Sequence, residues 1–178
     1  MEIINSDFEG LFTVKTHFLK DERGIFNKVF NLDLFKNYNL NTNFEEFFYS
    51  ESQKDVIRGM HFQIPPYDHE KLIFEVKGSV SDVILDIRKK SKTFGKFFEI
   101  TMDSNEGIAL YVSKGFAHGF KSLIDNTIIC YITTKVYNSY YDSGIKFDSF
   151  GYDWKIKEPI VSEKDRNLIS FDRFESPF

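Results

Sequence analysis

From Phe44 onward, apolar and polar residues alternate with a period of two, in short runs separated by turn residues. Two runs flank Lys77-Gly78-Ser79. In the first, Leu72, Phe74 and Val76 share one face while Lys71, Ile73, Glu75 and Lys77 share the other. In the second, Val83, Leu85 and Ile87 alternate against Asp82, Ile84 and Asp86. Lys89 to Gly95 reads as a polar turn, followed by strands over Phe97–Met102, Ile108–Val112 and Thr127–Tyr137. The last is the cleanest: Ile128, Cys130, Ile132 and Val136 oppose Ile129, Tyr131, Thr133, Lys135 and Tyr137. Toward the N-terminus, Leu11–Phe18 and Ile25–Phe30 read as extended runs around the turn Asp21-Glu22-Arg23-Gly24. Asn31–Tyr38 reads as a short helix with Leu32 and Phe35, joined by Leu34, on its apolar side. Many short strands with little room for long helices predict an all-β sandwich or barrel, with a jelly roll as the default.

Composition narrows the functional classes. The 178 residues suffice for one domain with a sizeable core. A hydrophobic content of 42% excludes wholesale disorder, and 21 Phe with 9 Tyr suit β structure around a ligand-sized interior. A net charge of −4 argues against nonspecific nucleic-acid binding, which needs a basic field. No run approaches the roughly 20 apolar residues of a membrane-spanning helix. Met1 to Asp7 lacks a basic or apolar leader pattern, and Cys130 is the only cysteine. A reducing, cytoplasmic location is therefore expected, with Cys130 a packing residue.

The stretch Val56-Ile57-Arg58-Gly59-Met60-His61-Phe62-Gln63 departs from a strand built only for packing. It sets a cation, a glycine and an imidazole within four residues, and Gly59 permits a bend or a close approach. His61 is the candidate base, with Arg58 beside it and Lys71 following. His118, between Gly115 and Gly119, is expected in a tight turn at a cavity mouth. Asp165 has two readings. Ser162-Glu163-Lys164-Asp165 fits a capping box, making Asp165 a helix cap; alternatively its carboxylate accepts a ring N–H of His61 and fixes that ring's tautomer. Tyr131, Lys135 and Tyr137 on one strand face suit a cavity wall or a solvated face equally.

Gly107-(x)5-Ser113-Lys114-Gly115-(x)2-His118 resembles the second cupin motif, with Ser for its Pro. Where the first cupin motif supplies metal ligands, this chain has Tyr67-Asp68-His69 with Lys71 close behind. An ammonium beside a divalent ion is unfavourable, so a cupin-like fold without a required metal is expected.

Five segments then occur in order: Arg58-Gly59-Met60-His61-Phe62-Gln63, Asp86-Ile87-Arg88-Lys89, Thr93-Phe94-Gly95, Gly115-Phe116-Ala117-His118-Gly119-Phe120 and Ser162-Glu163-Lys164-Asp165. Together they resemble the dTDP-4-dehydrorhamnose 3,5-epimerase family, from about Asp21 to the C-terminus. The resemblance implies a cupin-type jelly-roll barrel, a homodimer, and no cofactor or metal. It implies inversion at carbons flanking the C4 ketone of a nucleotide-linked 4-keto-6-deoxyhexose, for surface-polysaccharide precursors. It assigns His61 as base, Asp165 as its partner, Tyr131 as the acid on the opposite face, and Lys71 beside the C4 oxygen. Arg58, His118, Glu46, Tyr137 and Asp142 fall at substrate-binding positions. Arg23 and Phe26 match an arm contacting nucleotide or diphosphate, so residues about 1–30 of the 1–178 domain are expected to reach a partner subunit.

Departures bear on the substrate. The family's Gln-Asp-Asn-His-Ser is Glu46-Phe47-Phe48-Tyr49-Ser50 here, and Asp142 stands where a Glu is common. The insert Ile64-Pro65-Pro66-Tyr67-Asp68-His69-Glu70 also has its own character. The base, the sugar and the inverted centre stay open. Rival readings are a 3,4-ketoisomerase of the same fold, a non-catalytic sugar-binding cupin and a metal-dependent cupin oxygenase.

Overall fold

The alternating runs become strands, seen in a computed structural model that describes residues 1–178. In chain order they are β1 (Glu2–Asn5), β2 (Leu11–Lys15), β3 (His17–Asp21), β4 (Gly24–Lys28), helix α1 (Leu32–Asn37), β5 (Glu46–Ser52) and β6 (Ile57–Gln63). There follow β7 (Lys71–Lys77), β8 (Ser79–Asp86), β9 (Phe97–Asp103), β10 (Ile108–Val112), β11 (Phe116–Ser122), β12 (Thr127–Thr133), β13 (Asp142–Gly144) and helix α2 (Glu163–Arg166). A six-stranded sheet runs β1-β2-β10-β7-β12-β5, and a five-stranded sheet runs β13-β6-β11-β8-β9. All ladder pairings are antiparallel, and β3–β4 stands apart as a hairpin. This is the all-β jelly roll that the strand spacing predicts, of the cupin type that the resemblance implies.

Between the sheets lies a core of Leu11, Ile73, Val80, Ile84, Met102, Leu110, Val112, Phe116, Phe120, Ile129 and Tyr131. Each sheet is also apolar on its outer face. Phe35 of α1 packs with Leu72, Phe74 and Tyr111 outside the first sheet. The C-terminal segment lays Phe147, Phe150 and Trp154 over Val83, Leu85 and Ile87 outside the second. Full burial of one such side chain contributes about 1.5–3 kcal/mol, which accounts for the phenylalanine-rich composition. Asn31 caps α1 by accepting from Leu34 N, and Phe35 is buried as expected, but Leu32 is exposed because only one side of this short helix meets the sheet.

Two of the segments that carry the resemblance prove to be one structural knot. The Asp86 carboxylate accepts from Arg88 Nε and Nη2 (2.9 and 2.7 Å), Ser91 Oγ (2.5 Å) and Thr93 Oγ1 (2.6 Å). Burial opposes this charge, yet the Arg88, Ser91 and Thr93 hydrogen bonds hold the carboxyl below its ordinary range. The knot folds the 89–95 turn back onto β8.

Within the stretch of about 1–30 expected as an arm, β1 and β2 are strands of the main sheet with Ile3, Leu11 and Val14 buried, and the β3–β4 hairpin stands apart. Two expectations are corrected. The run Thr127–Tyr137 leaves the ladder after Thr133, so Lys135, Val136 and Tyr137 belong to the following loop. His118 lies within β11, not in a tight turn: Gly115 supplies the turn at φ +79°, and Gly119 serves a close strand approach.

That approach sets the geometry of the site. His61 and His118 are cross-strand partners of β6 and β11. A Cβ on Gly59, at φ +122°, would lie 2.5 Å from Gly119 Cα and 2.7 Å from the His118 carbonyl oxygen. Gly59→Ala combines backbone strain with overpacking against main chain, and is expected to destabilise the fold by at least about 2 kcal/mol. A lowered Tm by calorimetry checks this; an unchanged Tm would show that the strands can separate.

Candidate active site

His61 sits near the end of β6, and its Nε2 lies 2.7 Å from Asp165 Oδ1. The His61 side chain is 35% exposed while that of Asp165 is 4% exposed, so the ring faces a cavity with its anchor behind it. Asp165 Oδ2 accepts from Gly59 N at 3.1 Å, and Ser162 Oγ accepts from Asp165 N at 3.1 Å. The capping reading and the histidine-partner reading are therefore both right: the cap uses the Asp165 backbone and leaves its carboxylate for His61. Burial disfavours the Asp165 charge, but the His61 hydrogen bond and the Gly59 N–H hold its pKa below the ordinary value. A carboxylate so held orients the imidazole and leaves its other nitrogen for a proton.

Lys71, first residue of β7, is 9% exposed and donates from Nζ to the His61 carbonyl at 3.1 Å. Burial lowers its pKa to about 8, against the opposing charges of Asp142 and Asp82. His118 Nε2 lies 2.8 Å from Asp82 Oδ2 on β8, and burial holds the His118 ring to its neutral form more strongly than usual. Tyr131 of β12 is 7% exposed, stacked on Phe48 with ring centroids 4.7 Å apart. Burial, then the charges of Asp82 and Glu75, raise the Tyr131 pKa well above that of a free phenol.

Two adjoining cavities of 190 and 240 Å³ share Phe48, His61 and Lys71. Their combined volume falls in the roughly 300–1,000 Å³ range of ligand pockets. The inner one adds Ser50, Arg58, His118, Phe120 and Tyr131. Arg58 is held from Nε to Ser52 Oγ and from Nη2 to the Glu51 carbonyl, both at 3.1 Å. The outer one adds Glu46, Gln63, His69, Thr133, Tyr137, Asp142 and Lys164. There Tyr137 N donates to Glu46 Oε2 (3.0 Å) and Tyr137 OH to Asp142 Oδ2 (3.2 Å), while Lys164 pairs with the same Asp142 oxygen. Gln63 ties the 64–70 insert to the loop after β12, donating to the Tyr67 and Val136 carbonyls and accepting from Asn138 N. His69 is next to Gln63 Nε2, and burial together with Lys71 lowers its pKa to about 3. No three His, Cys, Asp or Glu side chains converge as a metal-binding group.

The fold thus brings His61, Asp165, Lys71, Tyr131, Arg58, His118, Glu46, Tyr137 and Asp142 to one mouth. It leaves Arg23 and Phe26 outside it. Both line a separate groove of the β3–β4 hairpin, where Arg23 pairs with Asp21 at 2.5 Å and Phe26 is 55% exposed. Sequence reasoning missed Phe48, Gln63, Asp82 and Lys164. Gln63 and Lys164 lie inside the quoted segments beside His61 and Asp165, Phe48 lies in the departing stretch Glu46-Phe47-Phe48-Tyr49-Ser50, and Asp82 carried no local signal. No helix is long and apolar enough to cross a membrane.

The same fold recurs in known proteins. A dTDP-4-dehydrorhamnose 3,5-epimerase from Methanothermobacter thermautotrophicus is 35% identical over 169 residues, covering 92% of this chain and 91% of its own. The Bacillus anthracis dTDP-4-dehydrorhamnose 3,5-epimerase, solved with TDP and PPi bound, superposes with a TM-score of 0.90 at 32% identity, covering 95% of this chain and 98% of its own. The Legionella pneumophila dTDP-6-deoxy-D-glucose-3,5-epimerase, in complex with dTDP-4-keto-L-rhamnose, gives 0.91 at 29% identity, covering 98% and 94%. Fold and relatives define an isomerase that epimerises nucleotide-linked 4-keto-6-deoxy sugars. The chain belongs to the dTDP-4-dehydrorhamnose 3,5-epimerase family, whose sequence pattern matches residues 5–173.

Proposed function

We propose that this epimerase acts on a dTDP-linked 4-keto-6-deoxyhexose, with His61 as base, Lys71 as enolate stabiliser and Tyr131 as acid. The observation that carries the reading is the His61–Asp165 pair at 2.7 Å opening on a cavity that also holds Lys71 and Tyr131. His61 takes the proton from the carbon beside the ketone; the C–H electron pair forms the C–C double bond and the C4 oxygen becomes an enolate. The Lys71 ammonium stabilises that oxygen, a contribution on the order of 10²–10³ in rate for one placed donor. Tyr131 then delivers its proton from the other side, inverting the centre. Its raised pKa suits this, because a buried phenol keeps its proton until the enolate takes it. Asp165 holds the base, and Arg58, His118, Glu46, Tyr137 and Asp142 surround the sugar diphosphate.

The choice of dTDP rests on the names of the relatives and on the TDP bound in the Bacillus structure. A homodimer completes the reading: Leu19, Ile25 and Phe26 are 54%, 48% and 55% exposed on the hairpin, an apolar surface suited to a second copy. In that assembly Arg23 and Phe26 of one protomer meet the nucleotide of the other. The cytoplasm, where a buried lone cysteine stays reduced, is the proposed location.

Incubating dTDP-4-keto-6-deoxyhexoses with the protein in D₂O and reading deuterium at C3 and C5 by NMR tests the reaction. Exchange at both carbons is expected, and no exchange with any such sugar would refute it. Tyr131→Phe is expected to retain deuterium wash-in while slowing net inversion by about 10²-fold, the lower range for a lost general acid. Parent-like inversion would remove Tyr131 from its role.

A further inference from the structure

His69 has a place in the outer cavity that the reaction above does not use. It lies in the 64–70 insert, two residues before Lys71, and lines that cavity with His61, Lys71 and Asp142. Its ring is tied back at one end only. Nδ1 lies 3.1 Å from Gln63 Nε2 and 3.3 Å from the Tyr67 carbonyl oxygen. Nε2 has no partner within the protein, yet it is not among the buried polar atoms left without one. It is open to whatever fills the cavity.

The role of Nε2 follows from a count of hydrogens. Asn138 N donates to Gln63 Oε1 at 2.6 Å, which fixes which way the amide faces. The two hydrogens on Gln63 Nε2 go to the carbonyls of Tyr67 and Val136, at 3.0 and 3.2 Å. None is left for His69 Nδ1. So Nδ1 carries the ring proton and donates to the Tyr67 carbonyl, which has a second lone pair. The imidazole is neutral: burial, then the Lys71 charge, lower its pKa to about 3, with Lys114 acting the same way and the Tyr67 bond and Asp142 opposing. A neutral ring protonated at Nδ1 has a bare lone pair at Nε2. Nε2 is an acceptor.

We propose that His69 Nε2 accepts a hydrogen bond from a hydroxyl of the hexose, making His69 a specificity-determining residue of the sugar pocket. Chemistry selects the group. The C4 ketone, the ring oxygen and the diphosphate oxygens of a nucleotide-linked 4-keto-6-deoxyhexose are all acceptors, so none of them pairs with a lone pair. Of the sugar's groups, only the hydroxyls donate. A lone pair also suits a cavity that holds the Lys71 ammonium, where an N–H would add a second positive end. A hydroxyl keeps its charge through the reaction. The contact therefore serves ground state and transition state alike, and it shows in KM and not in kcat. The specificity role rests on the proposed reaction; the tautomer and the contact are tested without it.

Nitrogen-15 NMR of the imidazole rings tests the tautomer in the free protein. His69 is expected to carry its proton on Nδ1 and to stay neutral from about pH 5 to 8. A proton on Nε2 would overturn the proposal. Titration with dTDP-glucose, which offers hexose hydroxyls but no ketone to react, is expected to move the Nε2 resonance. dTDP alone is expected to leave it in place. A resonance that stays put while other site signals move, or that moves equally with dTDP, overturns the hydroxyl contact. If dTDP-glucose moves no signal at all, the thymidine nucleotide is the wrong one and GDP-mannose replaces it; failure with both overturns the contact.

Two variants give the kinetic reading. In H69N the amide can keep the bond to the Tyr67 carbonyl but has no acceptor as far out as Nε2; in H69Q the amide oxygen reaches that far. H69N is expected to raise KM about tenfold with kcat nearly unchanged, as for one lost hydrogen bond, and H69Q to restore most of it. A structural role alone would lower the Tm of H69N and leave KM intact, and that outcome overturns the proposal. A fall in kcat at unchanged KM would place the contact on the enolate and overturn it too. Should H69N not fold, the dTDP-glucose titration of the parent decides. An Nε2 shift with no sugar exchange in D₂O would sink the reaction and leave a sugar-binding contact standing.

Discussion

Replacing His61 by alanine is expected to abolish deuterium incorporation at the carbons beside the C4 ketone, a loss of at least about 10²–10⁴ for a positioned base. The expectation rests on a division of labour along one hydrogen-bonded line. Ser162 fixes the start of α2, α2 presents the Asp165 carboxylate, and that carboxylate holds His61 Nε2 at 2.7 Å. Only the ring's outer part reaches the cavity, so removing it deletes the base while the helix cap stays. Asp165 would then be a buried carboxylate with the Gly59 N–H as its remaining side-chain partner. Some stability is expected to be lost for that reason, since stripping one partner from a buried charge is costly. Circular dichroism at the assay temperature separates the two effects. A folded His61→Ala protein exchanging within tenfold of the parent would show that another group removes the proton.

The strand pattern was legible because alternation survives wherever a ladder exists. The runs at 71–77, 97–103 and 108–112 emerge within a residue of their expected limits. Alternation says which residues share a face, but not which face is inside. Leu72 and Phe74 form the more apolar face of their run, yet it is Ile73 of the more polar face that points between the sheets. The pattern misleads because both faces of each sheet are covered, one by the other sheet and one by α1 or the C-terminal segment. An interior that must hold a charged, oxygen-rich ligand also needs polar residues at inward positions. The face of Tyr131 suited a cavity wall and a solvated surface equally, and the meeting of the two sheets decides for the cavity, whereas Tyr137 reaches the same mouth from a loop for a different reason, the Glu46 and Asp142 contacts. The His61–Asp165 contact spans 104 residues, so spacing could offer it beside the capping reading but only the fold decides it. Asp82 and Phe48 depend on the meeting of strands from different parts of the chain, which no local motif encodes.

Lys71→Met is the second large effect expected, and its two consequences have opposite signs. On activity, the loss of the ammonium should cost on the order of 10²–10³ in kcat, with a smaller change in KM, because the charge is most needed once the enolate forms. The parent's own pH profile should report the same group. Burial lowers the Lys71 pKa to about 8, so the stabilising charge is present below that pH and kcat falls as pH rises through it. On stability the sign reverses. An unfolded lysine keeps its ordinary pKa of 10.5, so between about 8 and 10.5 the unfolded chain binds more protons than the folded one. Folding is penalised by this group at all lower pH, by at most about 3.5 kcal/mol at about 1.4 kcal/mol per pKa unit. Methionine fills a comparable space without a charge to desolvate. The variant should therefore be nearly inactive yet at least as stable as the parent at pH 7, with denaturant unfolding as the measure. A variant that is inactive and unfolded would place Lys71 in the scaffold, and an active one would dismiss it from the reaction. Inactivity joined to preserved stability is the pattern of a residue kept for chemistry at the expense of the fold.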